Sequence, residues 1–221
     1  MKPIEAVLTG DLVASTEASP EAVNKAMEAL ASAAGQIAQW PTRENTVIGD
    51  THFTRFRGDG WQMLVSAGAF GLRAALLAYA TLAARALLPD TRVAVGLSTV
   101  DDVPGHDLSD AHGAAFALSG RALARMQGAA RLTVAGHRIT PLRSAFIALL
   151  DEQISSWTPQ QAEAMVLALP PDPPTQTAMA ERLGISPQAL SYRLSGARWP
   201  AIRRILQEWE RPHPPEESHH D

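Results

Sequence analysis

Two aspartates stand beside glycines at points where short apolar runs end. Asp11 follows Gly10 after the run that begins at Ile4, and Asp59 follows Gly58 between two strand-like runs. Carboxylates at adjacent strand ends make a hard-oxygen site that suits Mg²⁺, which completes its shell with water and phosphate. Glycine lets a phosphate approach the backbone closely. The two pairs predict a metal-assisted nucleotide site, although each aspartate can equally serve only its own turn.

A second segment with functional potential lies near the C-terminus, where two short helices are predicted with a glycine between them. Thr175 is an N-cap for the first helix, Gln176–Leu183, and Gly184 suits a left-handed residue that ends it. Ser186 caps the second helix, which begins at Pro187. The spacing is similar to the helix-turn-helix of DNA-binding proteins, although a helical hairpin that contacts another protein has the same elements.

The outward side of the second helix is predicted to read double-stranded DNA. Amide and hydroxyl groups can reach base edges, and arginines can reach guanine or phosphates. The predicted DNA-binding residues are Ser186, Gln188, Ser191, Tyr192, Arg193, Arg198, Arg203 and Arg204. Residues 175–211 contain six arginines against three glutamates, hence a local charge of +3 in a chain of net charge −4. A locally basic face is what phosphate contact requires, whatever the charge of the whole chain.

Alternating strand and helix patterns precede these helices. The predicted elements are strand Ile4–Leu8, helix Pro20–Gln39, hairpin strands His52–Phe56 and Trp61–Val65, helix Phe70–Leu88, strand Thr91–Val100, helix His112–Gln127 and strand Arg131–Ala135. Their order predicts an α+β fold, a ferredoxin-like βα-ββ-αβ sheet with packed helices, followed by an all-α helix-turn-helix domain. The predicted divisions are a sheet domain (1–140), connecting helices (141–170), the helix-turn-helix domain (171–211) and a disordered tail (212–221).

Residues 4–140 resemble the catalytic domain of class III nucleotide cyclases and the SatD-like proteins related to it. The segment VLTGDLVAST at 7–16 is similar to the metal-binding strand end of that family, and RFRGDG at 55–60 is similar to its hairpin. The resemblance implies that Asp11 and Asp59 hold divalent cations over a nucleotide triphosphate. It also implies a site shared across a two-fold dimer.

A third segment, DAHG at 110–113 with Arg121 after it, is similar to the following helix of the cyclases. The resemblance places Arg55 and Asp110 at purine-selecting positions and Arg121 at the arginine that stabilises the transition state. Ala117 stands where the family has a catalytic asparagine, which argues against turnover. Arg121 can equally be a solvated residue or a partner in a dimer salt bridge. The predicted nucleotide-binding residues are Gly10, Arg55, Gly58, Asp110 and Arg121.

Together these patterns predict a cytoplasmic, homodimeric transcription regulator. It would bind double-stranded DNA, and its N-terminal domain would bind a purine or cyclic nucleotide with Mg²⁺, or only dimerise. Two alternatives stay open: an active adenylate or guanylate cyclase with a regulatory helical tail, and a non-catalytic dimerisation scaffold. The chain has no cysteine, which excludes disulfides and thiol chemistry and suits a reducing compartment. No apolar stretch reaches the roughly 20 residues of a membrane span, so no membrane partner is expected.

Overall fold

The computed structural model describes residues 2–42, 47–49, 51–56, 58–86, 88–103, 105, 107–137 and 139–211. The tail 212–221, for which disorder is predicted, lies outside these ranges. Within them, no helix combines the length and the apolar character needed to cross a membrane.

Five strands form one mixed sheet in the order β2-β3-β1-β4-β5. They are β1 (Glu5–Leu12), β2 (Thr54–Phe56), β3 (Gly60–Val65), β4 (Thr91–Ser98) and β5 (Leu132–Gly136). Neighbouring strands are antiparallel except β4 and β5, which are parallel. The central strand β1 continues to Leu12, beyond its predicted end at Leu8. Because β1 is covered on both faces, its side chains do not show the simple polar–apolar alternation that marks a half-exposed strand.

Three helices cover the two faces of the sheet: α1 (Pro20–Ala38), α2 (Gly71–Ala83) and α3 (Ala114–Arg125). Helices α1 and α2 pack on the face that carries Leu8 and Trp61, whereas α3 packs on the opposite face, which carries Val7 and Leu64. Helix α2 ends before its predicted limit at Leu88, because the chain turns there and the Leu88 amide donates to the Arg85 carbonyl at 2.8 Å. The predicted alternation of strands and helices is otherwise observed.

Five further helices follow the sheet: α4 (Pro141–Ser155), α5 (Pro159–Ala168), α6 (Gln176–Leu183), α7 (Pro187–Gly196) and α8 (Trp199–Trp209). Helices α6 and α7 have the predicted bounds, and α8 is additional to the predicted elements. One continuous cluster of buried side chains joins the sheet and α2 to these helices. Within it, the Tyr79 and Trp157 rings lie 6.1 Å apart. The C-terminal helices therefore pack directly on α2.

A buried ion pair crosses the same contact. Arg73 on α2 donates to Glu210, from Nε to Oε1 at 2.6 Å and from Nη2 to Oε2 at 2.9 Å. Its Nη1 donates to the Leu169 carbonyl at 2.6 Å. The side chains of Arg73 and Glu210 are only 6% and 9% exposed. This pair fixes the end of α8 against the helix that lines the sheet.

Candidate functional site

The end of the sheet carries Asp11, one of the two predicted metal-binding aspartates. Antiparallel pairing aligns Asp11 with Arg92 on β4 and with Gly60 on β3. Arg92 donates from Nε to Asp11 Oδ1 at 2.9 Å and from Nη2 to Asp11 Oδ2. Hydrogen bonding to Asp11 raises the pKa of Arg92 above its ordinary value, and the negative charges of Asp11 and Asp59 act in the same direction. Arg92 is therefore a permanent positive charge beside the two carboxylates.

The second aspartate, Asp59, is held by the segment that follows β1. Ser15 Oγ donates to Asp59 Oδ2 at 2.5 Å, and the Leu12 amide donates to the Asp59 carbonyl at 3.1 Å. Across the part of the chain that the structure describes, no three histidine, aspartate or glutamate side chains are grouped to hold a metal ion. Since Arg92 engages both oxygens of Asp11 and Ser15 engages one of Asp59, this arrangement does not fit a resident divalent cation.

The two glycines beside these aspartates have different surroundings. A Cβ at Gly10 would lie 2.4 Å from the Trp61 ring and 2.6 Å from the Arg92 carbonyl oxygen, so tight packing explains this glycine. Trp61 is fully buried and donates from Nε1 to Thr91 Oγ1 at 3.0 Å. Gly58 lies in the β2–β3 turn with φ +81°, and a Cβ there would meet open space. Its left-handed backbone favours glycine because other residues are strained in that conformation.

The predicted purine-selecting Arg55 lies on the other face of the sheet. In the register of the sheet, Arg55 on β2 lies opposite Trp61 on β3. Asp11 on β1 lies opposite Gly60, the residue that precedes Trp61 on β3. Because successive strand residues point to opposite faces, Arg55 and Asp11 lie on opposite sides. Arg55 donates to the Gly58 carbonyl at 2.7 Å and to Asn24 Oδ1 at 2.8 Å. Within one chain, Arg55 and Asp11 do not form a common site.

The other two predicted nucleotide-binding residues are exposed. Asp110 ends a short 3₁₀ turn between β4 and α3, and Arg121 lies on the outer side of α3. The Leu108 amide, in the same turn as Asp110, donates to Thr54 Oγ1 on β2 at 2.9 Å. Asp110 is thereby placed near the β2 edge of the sheet.

The predicted caps of α6 and α7 are confirmed. Thr175 Oγ1 accepts a hydrogen bond from the Ala178 amide at 3.2 Å, and Ser186 Oγ accepts one from the Ala189 amide at 3.2 Å. Between the helices, Gly184 is left-handed with φ +63°. Each cap acts within three residues of its own position, which is why the sequence alone located these helix ends.

The outward residues of α7 are Gln188, Ser191 and Tyr192, and the Tyr192 side chain is 80% exposed. Arg193 departs from the predicted outward orientation. It is half-buried and donates from Nη1 to Glu163 Oε2 on α5 at 2.7 Å. The reason is that the inner side of α7 packs on α5 and brings Arg193 beside that helix.

Four exposed arginines flank α7. Arg182 lies at the end of α6, Arg198 precedes α8, and Arg203 and Arg204 lie on α8. Among the described residues, none of the four has a salt-bridge partner. Sequence patterns had not singled out Arg182, although its position at the end of the first helix of the pair could have indicated it.

The comparison with solved structures finds a distant likeness. No protein family model matches the chain, and no curated protein matches it. Among solved structures, it is weakly similar to the crystal structure of the guanylyl cyclase Cya2, with 17% sequence identity and a TM-score of 0.38. The similarity covers 60% of this chain and 74% of that one. The function proposed below therefore rests on the residues themselves.

Proposed function

We propose that this protein is a homodimeric DNA-binding transcription regulator, in which α6 and α7 form a helix-turn-helix and α7 enters the major groove. The observation that carries the proposal is the surface formed by α7 and its flanks. Gln188, Ser191 and Tyr192 present amide and hydroxyl groups to solvent, and such groups recognise base edges. Exposed arginines precede and follow α7 along the chain, and arginines of this kind contact phosphates.

The charge around α7 favours an anionic partner. The four flanking arginines, Arg182, Arg198, Arg203 and Arg204, are exposed and have no salt-bridge partner in the described part of the chain. In contrast, Glu210 is buried against Arg73, and Glu208 pairs with the neighbouring Arg211. The net charge of the exposed side chains around α7 is therefore positive, although the whole chain carries a net charge of −4. Local and not global charge determines contact with phosphates.

Helix α7 is also held firmly enough to present its outer side chains at defined positions. Leu190 and Leu194 are buried, and Trp157 donates from Nε1 to the Ala197 carbonyl at 3.2 Å. A Cβ at Gly196 would lie 2.4 Å from the Gln161 side chain, so α5 and α7 approach closely at this point. A recognition helix packed in this way loses little conformational freedom on binding, which favours affinity.

The proposed homodimer is supported by an exposed apolar stripe on α4. Leu142, Phe146 and Leu149 are 69%, 47% and 70% exposed, and their spacing places them on one face of the helix. An adjoining face of the helix, with Ile147 and Leu150, is buried in the chain. An uncharged stripe of this kind is complementary to itself, so a second copy can cover it around a two-fold axis. Dimeric helix-turn-helix proteins use such symmetry to bind two half-sites.

Substitution of Leu149 tests this interface. Leu149→Glu is expected to convert a dimer to a monomer in analytical ultracentrifugation, because it places two like charges in an apolar contact. Ser144→Glu, on an exposed part of α4 away from the stripe, is the matched control and should leave the dimer intact. A wild-type protein that is monomeric at micromolar concentration would contradict the proposed dimer.

In this proposal the sheet domain carries the dimerisation helix α4, which packs on β5. The antiparallel order β2-β3-β1-β4 supports the ferredoxin-like interpretation of that domain. Binding of a purine or cyclic nucleotide there remains a prediction, which thermal shift with ATP, GTP or cyclic AMP can test, with and without Mg²⁺. Incubation with ATP or GTP and Mn²⁺ should yield no cyclic product, because Ala117 stands at the asparagine position of the cyclases. A product that Asp11→Ala abolishes would favour the cyclase alternative.

Selection from a random duplex library tests DNA binding directly. We expect one enriched sequence with two related half-sites, and a failure to enrich any sequence would refute the proposal. The double variant Arg203→Gln/Arg204→Gln should weaken binding to all sequences and reduce the slope of log K against log salt by about 2. Arg125→Gln, an exposed arginine at the end of α3, is the matched control and should leave the slope unchanged.

A further inference from the structure

We infer that Arg92 takes the place of a divalent cation at the end of the sheet, so that the Asp11 carboxylate is ion-paired within the chain and this end of the sheet excludes metal ions. The inference is independent of DNA binding. It rests on the hydrogen bonds of two carboxylates and on the register of two strands. It makes Arg92 the residue that determines whether the two aspartates bind a metal.

The first support is the geometry of the Asp11–Arg92 pair. Arg92 contacts both carboxylate oxygens of Asp11, through Nε at 2.9 Å and through Nη2. A paired guanidinium and carboxylate of this kind is among the strongest hydrogen-bonded contacts in proteins. A divalent cation needs the same oxygen lone pairs, because carboxylates are its preferred protein ligands. Metal and guanidinium therefore compete for one set of atoms.

The second support is the electrostatics. Arg92 brings one positive charge to the Asp11 carboxylate, and it contacts both oxygens of that group. Arg92 and Asp11 are 32% and 27% exposed, so solvent screens their interaction only in part. A metal ion beside Asp11 would meet the positive guanidinium within a few ångströms. Without Arg92, the Asp11 carboxylate would lose its paired charge at a strand end beside Asp59, whose carbonyl accepts from the Leu12 amide.

The third support is that the backbone already holds Arg92 in this position. Asp11 and Arg92 are direct partners in the antiparallel register of β1 and β4. The Arg92 carbonyl lies so close to Gly10 that a Cβ there would approach it to 2.6 Å. The guanidinium is thus supplied by a central strand pair of the sheet and not by a mobile segment, so its removal should expose the aspartates without rearranging the strands.

Mn²⁺ binding, measured from the electron paramagnetic resonance signal of the free ion, tests the inference. Wild-type protein should leave the signal unchanged up to about 1 mM Mn²⁺, which is the range of weak carboxylate sites. Arg92→Ala should gain a site at least about tenfold tighter, because it removes a positive charge from the immediate vicinity of the metal. The double variant Arg92→Ala/Asp11→Asn should lose this gain.

Two further variants distinguish charge from shape. Arg92→Lys keeps the positive charge and should bind Mn²⁺ no better than wild type, whereas Arg92→Gln keeps much of the shape and should gain binding as Arg92→Ala does. Circular dichroism establishes that each variant is folded. Wild-type Mn²⁺ binding that Asp11→Asn abolishes would overturn the inference. So would a folded Arg92→Ala or Arg92→Gln variant that gains no binding, or an Arg92→Lys variant that gains as much as Arg92→Ala.

Discussion

The end of the sheet and the surface around α7 both carry arginines, but in the described part of the chain only the α7 surface leaves several of them without a carboxylate partner. Arg92 is bound by Asp11, whereas Arg198, Arg203 and Arg204 are exposed and have no salt-bridge partner among the described residues. An arginine with an internal carboxylate partner contributes to the stability of the folded chain. Its hydrogen-bond donors are already used and are therefore not available to a ligand. A solvated arginine contributes little to folding and is available to phosphates. The two regions show that counting charges along a sequence does not separate structural from binding residues.

The largest effect is expected at Arg73, whose side chain is only 6% exposed and paired with Glu210. Arg73→Met leaves Glu210 as an uncompensated buried charge, and the free energy of unfolding should fall by about 3–5 kcal/mol. Urea denaturation followed by circular dichroism measures the change. Arg203→Gln is the matched control, because an exposed arginine without an internal partner should change stability by less than about 0.5 kcal/mol. Similar losses for both variants would contradict the distinction.

On the exposed side, Gln188 tests whether α7 recognises sequence. Gln188→Ala should weaken binding to the selected DNA by about 1–3 kcal/mol and leave binding to unrelated duplex unchanged, because an amide contact to a base carries specificity. Fluorescence anisotropy with both duplexes measures the two affinities. Gln160→Ala, an exposed residue of α5, is the control. Equal weakening on both duplexes would mean that Gln188 contacts phosphate and not a base.

The smallest effects are expected for Arg193 on α7 and for Arg198, which follows that helix. Arg193 pairs with Glu163, so Arg193→Gln should lower stability by less than about 1 kcal/mol and leave the salt dependence of DNA binding unchanged. Arg198→Gln should do the opposite, with unchanged stability and a salt slope reduced by about 1. A reduced salt slope for Arg193→Gln would show that Arg193 leaves Glu163 and contacts the DNA.

Much of the C-terminal region could be predicted, because its signals are local. Thr175, Gly184 and Ser186 act on backbone groups a few residues away, and the bounds of α6 and α7 followed from them. The strand and helix order of the N-terminal region was also predictable from alternation and turn residues. The extent of β1 was not, because a strand covered on both faces has no alternating pattern. The exposed orientation expected for Arg193 was wrong, because Glu163 belongs to another helix.

The caps of α6 and α7, the presence of a turn between β2 and β3 and the positive local charge could be read from the sequence, since each depends on neighbours along the chain. Only the tertiary structure decided what Asp11 contacts. Its partner Arg92 is distant in sequence, and it reaches Asp11 because β1 and β4 pair in one particular register. A register shifted by one residue would turn Arg92 to the other face of the sheet. The aspartate that predicted a metal site in the sequence is, for that reason, an ion-paired residue in the fold.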